Sequence, residues 1–335
     1  MNDSSLSSRK ADHIELAFAA QTAEADARFY YEPVQVGHPS GDHLWAALPV
    51  ANRIQQVPWW ISSMTGGEAR AASINERLAK AAAKFGLGMG LGSCRPVLVD
   101  PQTRRDFAVR RFIGDQPLFA NLGIAQLEEL VAQGQLARVK EMVNSLEADG
   151  LIVHINPLQE WVQPEGDRLK QAPLDTLKRV MDALDMPIIA KEVGQGFGPK
   201  SLKALMDLPL EAVDFGAFGG TNFSLIEAMR SGESDREGLR PVASVGHTAE
   251  EMGNWIIDWT RDGWKPQAKQ IIVSGGIQSF LDGYYHIKRL PGSVMYAQAS
   301  AFLKPALESQ EALDAFCEWQ IKGLTMAHQY LELRS

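Results

Sequence analysis

The stretch GLIVHINPLQEW at residues 150–161 places an imidazole, two amides and a carboxylate directly after three aliphatic residues. These polar side chains belong to His154, Asn156, Gln159 and Glu160. An imidazole can transfer a proton or contact an anion, amides can orient a substrate, and a carboxylate is a hard ligand that suits Mg²⁺. One such residue alone is more often a hydrogen-bonding residue at a strand end or, for Glu160, half of a surface salt bridge. The four together indicate a reaction site.

Basic residues at three places are candidates for holding an anion or carrying chemistry. Lys191 follows three aliphatic residues of a strand-like segment, where a lysine is costly to bury unless it faces an anion, acts as a base or forms a Schiff base. Arg95 follows the residues GSC and can fork onto a phosphate or a carboxylate. Arg9 and Lys10 reach a ligand only if the N-terminal segment folds over the site, and such a pair is more often solvated.

Eight apolar segments are predicted to be the β-strands that position these groups. Several are aliphatic without alternation, as strands covered on both faces are, and helical patterns such as residues 73–85 and 124–148 separate most of them. The second of these patterns is long enough for two helices. Eight strand–helix units predict an α/β fold, the TIM (β/α)8 barrel. The eight segments span residues 57–64, 86–93, 117–123, 150–156, 187–194, 212–220, 270–276 and 292–299.

Polar residues and glycines collect where these strands end. Catalytic groups of a TIM barrel lie at the carboxyl ends of its strands, and seven of the eight ends here carry donors or glycines. SGGI at residues 274–277 and AQASAF at 297–302 fall on the last two strands, whose loops form the recurrent phosphate site of this fold. The sequence therefore predicts one phosphate site for a cofactor and a second anion site near Arg95, His154 and Glu160.

Residues 1–56 precede the first strand and are predicted to form an extension packed on a single barrel domain, residues 57–335. The connection from residue 217 to 269 is a long insertion after the sixth strand. Its polar part, SGESDREGLRP at residues 231–241, is predicted to be a mobile lid or an interface loop, with disorder as the alternative.

The composition argues against several classes of protein. With 335 residues, of which 45% are hydrophobic, the chain can bury a large core, and a formal net charge of -8 is unlike that of a nucleic-acid binder. It has no run of about 18 apolar residues and no apolar signal region, so a cytoplasmic protein without a membrane span is predicted. Cys94 and Cys317 are too few for a disulfide framework or a zinc site and are expected to be reduced thiols.

Seven motifs lie between Arg9 and Leu303, namely RKADHIE, SSMTGG, GLGMGLGSCR, ANLGIAQ, HINPLQEWVQPEGD, KEVGQGF and GGTNFSLIE. Together they resemble the type 2 isopentenyl-diphosphate isomerases, which are FMN-dependent TIM barrels. The HINPLQE block with QPEGD is the most discriminating, because FMN barrels of other activities share the glycines but are not expected to share this block.

The resemblance implies a flavin site. A lysine near the N1 side of the flavin favours the anionic reduced form, which is the role implied for Lys191. The residues implied to bind the flavin are Ser63, Met64, Thr65, Ser93, Asn121, Lys191 and Thr221, and those implied to hold its phosphate are Gly275, Gly276, Ile277, Ala297 and Gln298.

The resemblance also implies a substrate site. Gln159 is expected beside the reacting carbons, Gln159 and His154 are the expected catalytic residues, and Glu160 is the expected Mg²⁺ ligand. The residues implied to contact the substrate are Arg9, Lys10, Ser93, Cys94, Arg95, His154, Asn156 and Gln159.

The implied reaction converts isopentenyl diphosphate into dimethylallyl diphosphate by moving a double bond, with no net transfer of electrons. Reduced FMN is expected to act as acid and base, NADPH to reduce it, and Mg²⁺ to hold the diphosphate. Protonating an unactivated alkene needs a strong, well-placed acid and a dry, preorganised pocket. The resemblance further implies that residues 1–56 contribute to the active site and that the protein forms a homotetramer or a larger homo-oligomer.

Three positions depart from the family pattern. The sixth strand lacks a serine expected near Phe215 and a tryptophan expected near Phe223, and Gln278 stands where the family usually has an arginine. The first departure removes an expected flavin hydrogen bond. The last means that the phosphate site is expected to rest more on backbone amides.

Three other functions stay open on the sequence alone. One is an FMN-dependent oxidoreductase of the hydroxy-acid oxidase type, which needs a His and Arg pair late in the barrel, with His247, His286 and Arg289 as candidates. Another is an aldolase-like barrel that forms a Schiff base on Lys191 without a flavin. The third is a non-catalytic binding barrel.

Overall fold

The computed structural model describes residues 3–39, 45–63, 70–230 and 240–334, with side chains from residue 9 onward. Its strands are β1 (Phe29–Tyr31), β2 (Leu48–Val50), β3 (Arg53–Gln55), β4 (Trp59–Ile61), β5 (Gly88–Gly90), β6 (Leu118–Gly123), β7 (Gly150–His154), β8 (Ile188–Lys191), β9 (Ala212–Asp214), β10 (Gln270–Val273), β11 (Ser293–Gln298) and β12 (Leu331–Leu333).

The α-helices that follow or flank these strands include α1 (Asp3–Leu16), α2 (Ala71–Phe85), α3 (Arg95–Val99), α4 (Arg110–Ile113), α5 (Ile124–Ala132), α6 (Ala137–Ser145), α7 (Pro157–Val162), α8 (Pro173–Ala183), α9 (Pro199–Met206), α10 (Phe223–Arg230), α11 (Ala249–Arg261), α12 (Phe280–Arg289), α13 (Ser300–Glu308) and α14 (Gln310–Tyr330). A 3-10 helix spans Pro101–Asp106. In the part of the chain that the structure describes, no helix is both long and apolar enough to cross a membrane.

Strands β4 to β11 form a closed parallel barrel, in which β11 pairs with β4. Each of the eight predicted segments contains one barrel strand, and the pattern at residues 124–148 forms two helices, α5 and α6. The predicted TIM barrel is therefore confirmed. The crossover helices cover the outer face of every strand, which is why the strands have no polar face in sequence.

Alternate residues of each strand face the barrel interior. Ile152 packs inside with Trp60 and Phe119, whereas Leu151 and Val153 on the same strand pack outward against the helices. The inward side chains fill the barrel with apolar groups up to the carboxyl ends of the strands. Beyond that level the next inward side chain of most strands is polar.

A hairpin of β2 and β3 closes the amino end of the barrel. Val50 at its turn packs among the interior residues, and Gln55 accepts a hydrogen bond from the amide of Gly88 at the start of β5 (2.9 Å). Part of the predicted extension thus lies at the end of the barrel opposite the strands' carboxyl ends. Residues 9–27 are exposed, and the contribution of residues 1–56 to the active site stays a prediction.

The long connection after β9 is fixed at both ends to the carboxyl face of the barrel. The side-chain Nδ2 group of Asn222 donates to the backbone oxygen of Ala243 (2.6 Å), and the side-chain Nε2 group of Gln195 donates to the backbone oxygen of Val245 (2.9 Å). Most of the polar stretch 231–241, predicted to be a lid or interface loop, lies outside the described residues.

Candidate active site

A layer of polar side chains, here named the mouth layer, lies at the carboxyl ends of the barrel strands. Each of its members stands two residues after an inward apolar residue, so the alternation of the strand points it into the barrel. The layer consists of Ser62, Asn121, His154, Lys191, Asp214 and Ser274. The strand register places His154 opposite Lys191, and Lys191 opposite Asp214.

The imidazole of His154 is held by Asn121 in one orientation. The Asn121 Nδ2 group donates to the backbone oxygen of Leu91 (3.0 Å), so its Oδ1 atom faces His154 Nδ1 at 2.7 Å and accepts a hydrogen bond from it. In the neutral ring this leaves Nε2 as the bare nitrogen. Gly123 makes room for that edge, since a Cβ there would lie 2.7 Å from Nε2.

Burial and the positive charge of Lys191 lower the pKa of His154 to about 3. The unfolded chain takes up this proton near the ordinary pKa of about 6.5, whereas the folded chain does not, so stability falls as pH decreases through that interval. The ring keeps some contact with solvent, and we expect a loss of about 2 kcal/mol between pH 6.5 and pH 4. In His154→Gln the free energy of unfolding, measured by urea denaturation, should lose that much less between pH 6.5 and pH 4. The same pH dependence in the variant and the unaltered protein would show that the pKa of His154 is not lowered in the folded state.

Lys191 is nearly buried and lies beside a carboxylate that binds backbone. Its ammonium donates to the backbone oxygen of Glu192 (2.7 Å). The Glu192 Oε2 atom accepts from the amides of Gly194, Gln195 and Gly196 at 2.7, 2.6 and 2.9 Å. Burial raises the pKa of Glu192, while these amides and Lys191 act in the opposite direction. The glutamate therefore shapes the loop after β8, directly beside the lysine.

Asp214 is a buried acid that the sequence reasoning did not single out. The hydroxyl of Ser274 donates to its carboxylate and accepts from the amide of Gly216 (2.9 Å). Burial raises the pKa of Asp214, while Lys191, the Ser274 hydroxyl and the Gly216 amide oppose that effect. An acid in an otherwise aliphatic strand was the signal in the sequence, since such a position is costly unless it faces a partner.

Three residues of the opening motif meet at the start of α7, and we name them the α7 cluster: Asn156, Gln159 and Glu160. The Asn156 Nδ2 group donates to Gln159 Oε1 and to Glu160 Oε1, both at 3.1 Å. Glu160 Oε2 accepts from the amide of Asp167 (2.8 Å). Glu160 is only 7% exposed, so the alternative of a surface salt bridge is wrong. Within the described residues, Asn156 Oδ1 is buried and has no hydrogen-bond partner.

A second acid faces this cluster from α10. Gln159 Nε2 donates to Glu227 Oε1 (3.1 Å), and Glu227 Oε2 pairs with Arg230 (2.5 Å). Gln159 is thereby held from both ends of its amide. The sequence reasoning missed Glu227, although it is the last residue of the quoted GGTNFSLIE motif.

The cationic candidates are placed unequally. Arg95 is half exposed and pairs with Asp167 (3.2 Å), the residue whose amide binds Glu160, so it borders the α7 cluster. Cys94 is fully buried, and burial raises the pKa of its thiol to about 12. Arg9 and Lys10 are exposed on α1 and form no ion pair with any described residue.

A cleft between the ends of β8, β9, β10, β11 and β4 holds many of the other predicted residues, and we call it the glycine cleft. Gly275 at its base has φ +84°, and a Cβ there would lie 2.0 Å from the backbone oxygen of Ala217, so only glycine fits. Gln298 supports the loop by accepting from Trp59 Nε1 (3.1 Å) and donating to the oxygen of Ile277 (3.0 Å). Predicted residues that line the cleft are Ser63, Lys191, Thr221, Gly275, Gly276, Ile277, Ala297 and Gln298.

Not every predicted flavin residue can be placed in this way. Met64 and Thr65 lie outside the described residues. Asn121 holds His154, and Ser93 accepts a long hydrogen bond from the amide of Arg95 (3.5 Å). Their expected contacts with a flavin stay predictions.

In sequence, the chain is 36% identical over 315 residues to the isopentenyl-diphosphate delta-isomerase of Rickettsia rickettsii (strain Sheila Smith), which covers 91% of this chain and 87% of that relative. It is 37% identical over 308 residues to the protein of the same name from Rickettsia bellii (strain RML369-C), covering 89% and 85%. The chain belongs to the isopentenyl-diphosphate delta-isomerase family. No protein-family model matches it.

Solved structures of low sequence identity share the fold of this isomerase family member. A flavocytochrome b2 variant with sulfite bound has a TM-score of 0.62 and 12% identity, covering 90% of this chain and 71% of that one. A mandelate oxidase mutant with a monooxide FMN adduct has a TM-score of 0.52 and 11% identity, covering 97% and 98%. At such identity the likeness shows the barrel fold alone.

The three departures from the family pattern can be located. Phe215 is fully buried in the core between strands and helices, so its side chain faces away from the mouth layer. Phe223 lines the glycine cleft at the start of α10. Gln278 is exposed, and its amide donates to Asp282 (3.0 Å) at the start of α12.

The residues that an oxidase would require lie elsewhere in this isomerase family member. His286 and Arg289 are on α12, outside the barrel, where Arg289 bonds to Asn254 of α11. His247 packs its ring on Trp255 at 5.1 Å. These positions give no support to the hydroxy-acid oxidase alternative.

Proposed function

We propose that this protein converts isopentenyl diphosphate into dimethylallyl diphosphate and uses reduced FMN as its cofactor. The observation that carries the proposal is the α7 cluster, an oriented amide and a buried carboxylate beside the mouth layer, in a chain 36% identical to an enzyme of that name. The amide can contact a neutral carbon skeleton, while the carboxylate and Arg95 lie where a charged group can be held.

The glycine cleft has features that suit a flavin. Within the described residues, Ser63 Oγ is buried without a hydrogen-bond partner, in a cleft that also contains the Lys191 side chain. Consecutive glycines with positive φ at 275 and 276 let the backbone approach an anion closely. When bound, reduced FMN would supply the acid and base for the proton transfers, and NADPH would reduce it. Lys191 would place a positive charge beside it and favour its anionic form.

The substrate diphosphate would lie between Arg95, His154 and a Mg²⁺ ion held by Glu160. A diphosphate near His154 favours the protonated imidazole, which reverses the effect of burial and turns the ring into a second donor. Mg²⁺ usually keeps several water ligands and binds phosphate oxygens, so one carboxylate is sufficient as its protein ligand. Binding energy at this remote end would fix the position of the alkene.

Gln159 would orient the reacting carbons. Its amide is locked between Asn156 and Glu227, and a fixed dipole of this kind stabilises developing charge without reorganising during the reaction. Apart from His154, the surrounding mouth layer is buried, which limits the access of water to the carbocation that protonation of the alkene would create.

Anaerobic conversion of isopentenyl diphosphate by the purified protein with FMN, NADPH and Mg²⁺, each omitted in turn, tests the proposal. We expect dimethylallyl diphosphate only when all three are present. A protein that binds FMN but forms no product, and whose flavin is reduced by a 2-hydroxy acid, would require the oxidase function instead.

Glu160→Gln tests the metal site. A glutamine side chain has only one acceptor oxygen, so it cannot accept hydrogen bonds from both Asn156 Nδ2 and the Asp167 amide as the two carboxylate oxygens do. It also binds Mg²⁺ more weakly than a carboxylate does. We expect the Mg²⁺ concentration for half-maximal activity to rise about tenfold or more, with FMN affinity unchanged. Glu141→Gln, which changes an exposed acid on α6 away from the site, is the matched control. Equal activity of both variants at limiting Mg²⁺ would remove Glu160 from the metal site.

The homotetramer or larger assembly and the cytoplasmic location stay predictions. Ile14, Leu16 and Phe18 are 74, 59 and 86% exposed next to the segment that carries Arg9 and Lys10. Burial of these side chains by another subunit would stabilise an assembly. Sedimentation of the full-length protein decides its mass, and a monomer at micromolar concentration would contradict the assembly.

A further inference from the structure

Lys191 and Asp214 are neighbouring buried groups of opposite charge in the mouth layer, without a direct salt bridge between them in the described structure. They are partners in the register of β8 and β9, each two residues after an interior residue, and they are 8 and 1% exposed. Both side chains therefore enter the same part of the barrel. A cation and a carboxylate buried this deeply are each costly unless the opposite charge is near.

The other titratable groups that act on Lys191 are less suited to balance it. Glu192 follows Lys191 in the chain, but its carboxylate is directed to the loop after β8, where Oε2 accepts from three backbone amides at 2.6 to 2.9 Å. The imidazole of His154 brings no negative charge, and Lys191 itself disfavours its protonation. The Asp214 carboxylate accepts a hydrogen bond from the Ser274 hydroxyl, which stabilises its charged form. The carboxylate is also the register partner of Lys191 on the neighbouring strand.

We propose that Asp214 is the counter-ion of Lys191 and that it limits how strongly the mouth layer stabilises anionic reduced FMN. The pair itself does not depend on a cofactor, whereas its effect on FMN rests on the proposed function. Asp214 is a positioning residue, because it acts on the flavin through Lys191. Ser274 binds the Asp214 carboxylate and directly precedes Gly275 and Gly276, so the same residue orients Asp214 and begins the loop of the predicted phosphate site.

The pair can be tested in the protein without added FMN. Asp214→Asn keeps the size and an acceptor for the Ser274 hydroxyl but leaves Lys191 unbalanced, and Lys191→Met leaves the carboxylate unbalanced. Each should lower the urea midpoint at pH 7, and the double variant should lose less than the sum of the two. Purely additive losses would overturn the pairing. If Asp214→Asn does not fold, Ser274→Ala replaces it, and its loss should differ between the Lys191 and Lys191→Met backgrounds; equal losses in both would overturn the pairing.

The effect on the flavin has opposite signs for the two residues. In Asp214→Asn the reduction potential of bound FMN should rise and the N1 pKa of reduced FMN should fall by about one unit, a tenfold change in ionisation. In Lys191→Met both quantities should move the other way. Glu211→Gln is the matched control, because Glu211 is a buried acid just before β9 that binds Ala51 and Lys269 at the opposite end of the barrel.

The outcomes separate this inference from the proposed function. If the unaltered protein binds no FMN, the proposed function fails, and the urea series still decides whether Asp214 and Lys191 are paired. If FMN binds and Asp214→Asn shifts its potential no more than Glu211→Gln does, the proposed effect on the flavin is wrong.

Discussion

Lys191→Met is expected to lower the rate of isopentenyl diphosphate isomerisation by about 10²–10³-fold. The reason is that a fixed charge in a buried site stabilises developing or cofactor charge far more than it would in water. Methionine preserves the length and most of the volume of the side chain, so the barrel should stay closed. The measurement is initial rate under anaerobic conditions at saturating FMN, with flavin affinity determined separately.

Lys140→Met, an exposed lysine on α6, is the control for the loss of one positive charge from the whole molecule. It should leave the rate unchanged. Near-normal turnover of Lys191→Met with tightly bound reduced FMN would exclude the lysine from the reaction. A carbonyl substrate that becomes trapped on Lys191 by borohydride, in a protein without flavin, would instead support the Schiff-base alternative.

The barrel could be predicted from the sequence because its strands are covered on both faces. Segments such as 187–194 combine an unbroken aliphatic run with a polar end, and a helical pattern follows most of them. That pattern depends only on neighbouring residues. The hairpin of β2 and β3 was not predicted, because it is stabilised by the packing of Val50 inside the amino end of the barrel. The strands that form this barrel come later in the chain.

The site was predictable where its members are close in sequence. His154, Gln159 and Glu160 were recognised because their residue types cluster within one strand end and the helix that follows. Glu227 was missed because it lies 68 residues from Gln159, and only the packing of α10 on α7 brings them together. Asp214 was missed because its partner on the neighbouring strand is set by register, which a single sequence does not show.

Phe215 shows that a departure from a family pattern can lie near a site in sequence while its side chain faces away from that site. The absence of an expected serine near Phe215, next to a cofactor site, suggests a lost hydrogen bond. The residue is instead outward-facing, in the core beneath the helices, while the inward neighbour Asp214 carries the polar group of that strand. The direction of the side chain, which alternates along a strand, decides what a substitution means.

Gln159→Ala is expected to lower turnover by about 10²-fold while changing the affinity for isopentenyl diphosphate little. The amide is oriented by Asn156 and Glu227, so it contributes a fixed dipole that matters most when charge develops on the carbon skeleton. The diphosphate, by contrast, is assigned to Arg95, His154 and Mg²⁺. The measurement is turnover at saturating substrate, together with the dissociation constant from binding to the reduced, flavin-loaded protein.

Gln163→Ala, at the end of the same helix, controls for changes in α7 itself and should leave both quantities unchanged. Gln159→Glu adds a second comparison, because a carboxylate at this position would lie 3.1 Å from the Glu227 oxygen and repel it unless the two share a proton. That variant should regain activity only towards acid pH, where one of the two acids is protonated. Loss of binding with normal turnover in Gln159→Ala would make this residue a substrate clamp, and the orientation of the alkene would then have to come from the flavin side of the mouth layer.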